Sequence, residues 1–568
     1  MKSLPYALLV AAVVLAYSNS FSGVFLFDDY TSVVHNPRIE HLSSAVSGTS
    51  RPLVMASFWL NYAVDGYRAA GYHLFNLAVH AAAMLALFGV MRRTLRRVRW
   101  AGGPTGQIGA DGESAIEPET ADALAWTVAL LWGLHPLQTE SVTYVCQRAE
   151  SLMSLLYLLT LYCAIRGLEA ARVEPRPPSE DTCLGGRRST AAVVPVPDTR
   201  GWRWTLGAVA CGALGMAAKE VMITAPLAVM AYDWLFGSRP VKDLIRRRWP
   251  LYAGLAATWG ILAGLMLVRQ HATRFESFAW QPTPWPVFLF TQCGVVIHYL
   301  KLAIWPDRLC LDYAWPTAQS VRAVLPQMLL LAGAGCAVVW AFGRRRAIAF
   351  AGVWFFLILA PSSSVIPRPD NAFEHRMYLP LAGVVAGVVI GVWALLRGRA
   401  RPLALAALVA AMACALGMTT YRRNLDYQSE IRMWADVVDK RPQNLRARND
   451  LAVALSEAGR VQEALDQYRE VLARIPAPMR TRMEKGEGRV MGDFRTDSLE
   501  YHFFRAHANM GLLMFKGVGD ADKAVAHYVL ALRVAPGNAD VSGKLAELLR
   551  ARGVSPDRID AEIERLVK

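Results

Sequence analysis

The sequence contains no GxxxxGKS/T phosphate loop, no GxGxxG dinucleotide fingerprint, no HExxH and no GxSxG. It therefore gives no sign of nucleotide-driven pumping or metalloprotease chemistry. Regular cysteine spacing is missing too. Of eight cysteines, Cys163, Cys211, Cys336 and Cys414 fall in apolar stretches, as packing residues do. Cys146, Cys293 and Cys310 follow no metal-ligand spacing and support no disulfide assignment. Acidic residues are few beside basic ones, 46 against 61, which leaves a net charge of +15. That excess does not point to nucleic acid. The arginines cluster between hydrophobic runs, as "MRRTLRRVR" at 91–99, "RRRW" at 246–249, "GRRR" at 343–346 and "RGRAR" at 397–401. This is the positive-inside pattern, a signal of topology, with lipid-headgroup binding as a secondary use.

Long hydrophobic runs, by contrast, are abundant; 54% of the residues are hydrophobic. Segments such as 72–90, 251–268, 321–342 and 403–420 are each long enough to cross about 30 Å of hydrocarbon as helices. The first segment, 4–18, lacks a small-residue cleavage site and reads as a retained anchor. Placing every arginine-rich loop in the cytoplasm gives spans at 4–18, 72–90, 123–134, 151–165, 204–218, 221–236, 251–268, 321–342, 347–360, 381–396 and 403–420. That is about eleven spans, with a cytoplasmic N-terminus and an external C-terminal domain. The segment 286–304 is also apolar, but counting it would put "GRRR" outside, and it carries Gln292, His298 and Lys301. It reads as an interfacial or re-entrant helix on the outer side. A polar, Pro- and Arg-rich loop at about 166–203 falls in the cytoplasm.

This path gathers four polar stretches on the outer face: "FDDY", "HPLQTESVTYVCQRAE", "AAKE" and "RPDNAFEHRMYLP". Asp28 and Asp29 are an adjacent carboxylate pair just beyond the first anchor, suited to a general base, a hydroxyl acceptor or a weak divalent-cation ligand. Solvated or helix-capping residues are the plain alternative. The residues after them, "RPLVMASFWLNYAVDGYRAAGYHLFN", suggest an amphipathic surface helix that would partly desolvate the pair. Two close like charges would then push one pKa upward. His135, Glu140, Arg148 and Glu150 cluster at a helix end. Arg148 suits a phosphate, gripped by two parallel hydrogen bonds, or a structural pair with a glutamate. Lys219 and Glu220 interrupt an apolar hairpin, as functional residues or as an internal ion pair. Glu374, His375, Arg376 and Tyr378 precede the next span. Arg376 is a second candidate phosphate clamp, and Tyr378 fits either the site or an interfacial aromatic belt.

From 421 onward the composition turns soluble and repetitive. Ala464, Tyr468 and Pro476 recur as Ala524, Tyr528 and Pro536, each 60 residues later, with Leu451, Gly459, Gly511 and Ala531 also at repeat positions. Trp434 and Pro442 precede Tyr468 and Pro476 by 34 residues, the period of a tetratricopeptide (TPR) repeat. The spacing of 60 is one repeat plus an insertion near 478–503. The expected fold is all-α: a polytopic membrane domain over 1–420, then a short TPR solenoid over 421–568. Such a solenoid binds a peptide or partner in its concave face, or packs as a scaffold.

"FLFDDYTSVVHNP", "HPLQTESVTYVCQRAESL", "AAKEVMITAPLAVMAYD", "YLKLAIWPDRLCLDY" and "EHRMYLPLAG", followed by TPRs, together resemble the GT-C superfamily of membrane glycosyltransferases. Within it they resemble the transmembrane-and-TPR O-mannosyltransferases and their bacterial relatives. The short repeat array and the loop 166–203 depart from that pattern. The resemblance implies transfer of a mannose-like hexose from a polyprenyl-phosphate donor to a hydroxyl, with Ser/Thr of a protein as the expected acceptor, by inverting displacement. Asp28 or Asp29 would deprotonate or orient that hydroxyl, with Asp28 favoured. Arg148, Arg376 and Lys219 would hold the donor phosphate. His135, Glu140, Glu150, Glu220, Glu374, His375 and Tyr378 would bind the sugar or support the basic groups. No metal site and no further cofactor are assigned. The expected partners are a membrane lipid carrier and an acceptor protein or peptide on the TPR domain, with no nucleic acid. The expected location is a bacterial inner membrane with the solenoid on the periplasmic side. The competing readings are a non-catalytic membrane-anchored TPR scaffold and a transporter or flippase.

Overall fold

The computed structural model describes residues 3–101, 113–170, 201–237, 241–273, 283–364, 367–368, 370–487, 490 and 498–568. Most of the loop expected at 166–203, and part of the insertion expected at 478–503, lie outside the described residues. The chain is an all-α polytopic membrane protein with a TPR-like helical region. Its only strands among the described residues are Arg99–Ala101 and Glu113–Ala115, an antiparallel pair.

Each of the eleven expected segments contains a helix. Proline opens some of them, as Pro118 and Pro402 do, because the first helical residue has no intrahelical use for its N–H. Among the described residues, seven helices are long and apolar enough to cross a membrane. Six coincide with expected spans, and the seventh is Trp285–Ile304. The remaining five, Pro118–Gly133, Gly201–Met216, Ala225–Phe236, Arg346–Leu359 and Leu381–Leu396, have 12 to 16 residues. At 1.5 Å per residue they reach about 18–24 Å.

Length and composition would let Trp285–Ile304 cross, and its polar side chains meet several loops. Thr291 accepts from the Ala318 N–H, Gln292 donates to the Asn371 carbonyl, and Tyr299 accepts from the Phe373 N–H. His135 meets the Ala303 carbonyl at 3.2 Å. These partners all sit in loops that the sequence assigns to the outer face. These contacts run over about 18 Å of helix, and the helix also packs against Val321–Phe342 and Leu381–Leu396. By length and composition it is a candidate span, where the sequence suggests an interfacial helix.

The packed centre is aromatic and hydrogen-bonded. His80 bridges the Tyr378 hydroxyl at 2.7 Å and the Gly133 carbonyl at 2.9 Å, and Trp132 donates to the Tyr378 carbonyl. Tyr378 is fully buried there, so it is neither a belt aromatic nor exposed to ligand. All the described cysteines are free.

In the solenoid, helices Leu445–Glu457 and Val461–Arg474 form one pair, and Leu499–Leu513 and Ala521–Val534 another. Asn444, Ser498, Asp520 and Asn538 cap helix N-termini by accepting backbone N–H groups. The recurring Ala464, Tyr468, Ala524 and Tyr528 are buried, which lets paired helices approach closely. Gly459 and Gly519, also 60 residues apart, take φ of 74° and 77° to turn each first helix into its second. Gly511 serves packing instead: a Cβ there would lie 2.6 Å from Cε1 of Tyr528. Gly511→Ala is expected to destabilise this pair by about 1–3 kcal/mol. Hydrogen exchange should show weakened protection over 499–534 with the membrane helices unchanged.

Candidate active site

A polar cavity of about 180 Å³ opens among the loops that the sequence groups on one face. Arg51, Lys219, Arg368 and Arg376 bring four cations to its wall, and Glu150, Glu220 and Asp370 bring three anions. His375, Phe373 and Gln147 complete most of the lining. Local structure explains why these side chains meet. The helix Pro52–Asp65 starts one residue after Arg51, and Leu53 donates its N–H to the Ala217 carbonyl. That bond brings the first outer loop against the corner that carries Lys219 and Glu220.

The charges are paired, though loosely in places. Lys219 binds Glu150 at 2.5 Å. Glu220 pairs with Arg368 at 2.8 Å and with Arg51 at 3.4 Å. Burial works to raise the Glu220 carboxyl, but Arg51, Lys219 and Arg368 outweigh it and hold Glu220 well below the usual range. Arg376 donates to the carbonyls of Asp370 and Asn371 at 2.7 and 2.9 Å. Nε of Arg368 is buried without a protein partner. The cavity thus keeps at least one donor in reserve, and its long ion pair can open for a ligand.

The two adjacent aspartates have different surroundings. Asp29 is fully buried, and both its oxygens are used: Oδ2 accepts from the Leu26 N–H at 3.1 Å and Oδ1 from the Cys146 N–H at 2.6 Å. Burial pushes its carboxyl up to about 7, against the pull of those N–H groups, and the Asp28 charge contributes least. Desolvation is therefore the main cause, and like-charge repulsion a small one. Asp28 is exposed and makes no ion pair among the described residues. The protein packed around its carboxyl, and then Asp370, raise it, while the Tyr144 hydroxyl and Arg446 pull it back. Phe27, just before the pair, has φ of 47°, an uncommon conformation for a residue with a Cβ. Because Asp29 has no free oxygen, a divalent ion held by both carboxylates does not fit this arrangement. Among the described residues, no group of three or more His, Cys, Asp or Glu could hold a metal ion.

Arg446, from the solenoid helix Leu445–Glu457, reaches across to this region. Its guanidinium binds Asp312 and Asp370, each at 2.7 Å, and lies 5.3 Å from the Phe27 ring centre. Asn444 also binds Asp312, at 2.9 Å, and Lys440 donates to the Leu309 carbonyl. Burial opposes ionisation of Asp312, but Arg446 and Asn444 hold its carboxyl below the usual range. Trp434 packs edge-on against Phe27, and Tyr30 hydrogen-bonds Glu430.

The expected site residues divide into two groups. Lys219, Glu150, Glu220, Arg376 and His375 line the cavity together. Arg148 does not: it is fully buried, donating to Asn76, to Ser57 and to the Tyr72 carbonyl, with Phe58 and Phe75 against its plane. It neither pairs with Glu140 nor lines the cavity. His135 accepts from the Leu137 N–H and is buried, so it shapes a turn. Glu374 is buried, accepting from Cys310 and from Tyr313, and burial raises it. Tyr378 lies in the aromatic centre. Glu140 sits behind the cavity wall, bonded to His375. Arg51, Arg368, Asp370 and Arg446 were missed in the sequence. "SRPL" and "PRPDN" carried a signal, since an arginine beside proline in an outer loop is held near the surface by a restricted backbone.

No family model and no solved structure matches the chain. Sequence relatives do exist. The chain is 23% identical over 545 residues to Protein O-mannosyl-transferase Tmtc3 of Drosophila melanogaster, covering 83% of this chain and 55% of that protein. It is 24% identical over 510 residues to Protein O-mannosyl-transferase TMTC4 of Mus musculus, covering 80% and 64%. It is 22% identical over 527 residues to Protein O-mannosyl-transferase TMTC1 of Homo sapiens, covering 83% and 55%. These relatives are protein O-mannosyl-transferases. The chain is similar to them over most of its own length and spans between about half and two thirds of theirs.

The Asp29 environment predicts a pH dependence. Its folded pKa of about 7 exceeds the ordinary 3.8, so the folded state holds a proton that the unfolded chain releases between those values. Its contribution to stability is present below pH 3.8 and is lost as pH rises to about 7. Asp29→Asn should flatten this part of the profile, read as the difference between wild-type and variant melting temperatures across that range.

Proposed function

We propose that the chain is a membrane glycosyltransferase that moves a mannose-like hexose from a polyprenyl-phosphate donor to a Ser or Thr hydroxyl of a protein, with inversion. The observation that carries this reading is the pairing of a cation-rich cavity with a neighbouring carboxylate that has no ion pair, on the face that also carries the solenoid. The names of the sequence relatives support the same chemistry. A scaffold would need neither the buried ion pairs nor the reserve donor of Arg368.

In this reading Asp28 accepts the proton of the acceptor hydroxyl as its oxygen attacks the anomeric carbon. The C–O bond to phosphate breaks, and the electron pair leaves on the phosphate. Arg51, Lys219, Arg368 and Arg376 stabilise that leaving charge in a site where water is partly excluded. A carboxyl raised above its ordinary value is a better base for a hydroxyl. Asp29 holds the loop that presents Asp28. The arginine distribution supports an extracytoplasmic site, in a cytoplasmic membrane, with the solenoid offering the acceptor from outside.

The donor's isoprenoid chain has a matching surface. A second cavity, of about 260 Å³ and almost wholly apolar, is lined by Phe350, Trp354, Ala382, Gly383 and Gly387. The helix Arg346–Leu359 contributes to both cavities, through Trp354 below and Ile358 above.

Asp28→Asn should lower turnover by about 10²–10⁴-fold with little change in donor KM. Arg368→Ala should raise donor KM by about 10-fold, the loss of one charge-assisted contact. Both are measured with a radiolabelled polyprenyl-phosphate mannose, and wild-type turnover in Asp28→Asn would remove the base assignment. A Cβ on Gly387 meets nothing within 4 Å, and Gly387 lines the apolar cavity, so Gly387→Leu should occupy part of it. It should raise KM for a long-chain donor and leave a short-chain analogue unaffected.

A further inference from the structure

His375 is held on two sides by one carboxylate. Glu140 accepts the His375 backbone N–H at 2.9 Å through Oε2 and meets ring Nδ1 at 2.7 Å through Oε1. Glu140 is fully buried. The ring stacks on Phe373, with centres 5.1 Å apart and planes 25° from parallel. Both His375 and Phe373 line the polar cavity. With Nδ1 taken by Glu140, Nε2 has no protein partner among the described residues, and its ring edge is the part left to face the cavity.

The surroundings select the tautomer. Burial, then Lys219, Arg376 and Arg51, hold His375 well below its ordinary pKa, against Glu150, so the ring is uncharged. Burial raises the Glu140 carboxyl to about 8, while the backbone N–H groups of His375 and Glu374 and the charges of Arg423 and Arg376 favour its ionised form. With Glu140 ionised, the neutral ring form with the proton on Nδ1 points an N–H at the carboxylate and a lone pair toward the cations. The other would point an N–H at the cations. The cations, and Glu140 in its ionised form, favour the same tautomer.

A neutral acceptor is a poor partner for phosphate oxygens, which carry only lone pairs once ionised, and a good one for a hydroxyl. The cavity therefore has a cationic wall for an anion and a His375–Phe373 wall that offers a lone pair beside an aromatic face. That division matches a sugar phosphate, whose C–H face packs on the ring while a hydroxyl donates at its edge. We propose that the Glu140–His375 pair is the sugar-reading element of this cavity. His375 Nε2 accepts a hydrogen bond from one hydroxyl of the donor sugar, and Glu140 acts as the positioning residue that fixes the tautomer. The inference rests on the glycosyltransferase reading and adds the atom that distinguishes one sugar from another.

The test uses the full-length protein and a panel of monodeoxy polyprenyl-phosphate mannoses. In wild type, one deoxy donor should lose about 10- to 100-fold in kcat/KM, the effect of one desolvated hydroxyl contact. His375→Asn keeps a donor for Glu140 but withdraws the acceptor from the cavity. It should lose a similar factor on the complete sugar and lose nothing further on that one deoxy donor. Glu140→Gln can donate to Nδ1 and move the proton to Nε2, so it should show the same collapse of discrimination. His375→Gln, whose amide oxygen reaches the cavity, should recover part of it. Polyprenyl phosphate without a sugar should bind wild type and His375→Asn equally. The proposal is overturned if His375→Asn keeps the wild-type discrimination among deoxy donors, or if it weakens binding of polyprenyl phosphate alone. Absence of any wild-type transfer would overturn the glycosyltransferase reading as well, whereas turnover with unaltered discrimination overturns only the role of the pair.

Discussion

The arrangement of the loops around the polar cavity depends on Arg446. A guanidinium shared between Asp312 and Asp370 is expensive to desolvate, and such groups contribute less to stability than to choosing one geometry over others. Here the chosen geometry joins two membrane-domain loops to the first helix of a TPR pair. Asp370 is also part of the cavity wall and raises the carboxyl of Asp28. The solenoid thus contributes a charge at the edge of the candidate site. Arg446 also lies against Phe27, whose positive φ sets the direction of the Asp28–Asp29 pair.

The adjacent aspartates show how little separates a structural carboxylate from an available one. Asp29 turns inward, and two backbone N–H groups satisfy it; Asp28 turns outward beside a tyrosine hydroxyl. A buried carboxylate without those N–H donors would carry a large desolvation penalty. The turn at 145–147 supplies one of them. It therefore ties the first outer loop to the helix Arg148–Ala170, independently of any side-chain ion pair.

Much of this organisation was legible in the sequence. Helical segments followed from apolar runs, and the solenoid from a constant spacing between small and aromatic residues. Lys219 and Glu220 stood out because charge interrupts apolar surroundings at a cost that calls for a reason. Arg148 stood out at a helix end as a residue suited to a phosphate or to a glutamate, and its burial fits neither role. A cation buried among carbonyls, an asparagine and aromatic rings satisfies the same rule as one poised for a phosphate, and one-dimensional spacing cannot tell them apart. Arg51, Arg368 and Arg446 were hidden for the opposite reason. In polar loops and on a repeat surface an arginine is unremarked, and only the fold reveals that three distant ones converge. The cause of the Asp29 shift was also out of reach, since adjacency suggests repulsion whereas burial proves to dominate.

The last membrane helix, Pro402–Asn424, passes through Leu425–Gln428 and the single residue Ser429 into Glu430–Lys440. Asn424 is itself fastened to Thr143 and to the Ala16 carbonyl. A flexible tether would let a module search a volume set by linker length. This mount has no slack to search with. Displacing the solenoid means bending a helix and parting two other segments of the membrane domain, so the two halves of the chain share one mechanical frame. Distances measured from a repeat to the cavity are then set by the backbone, as on a rigid ruler.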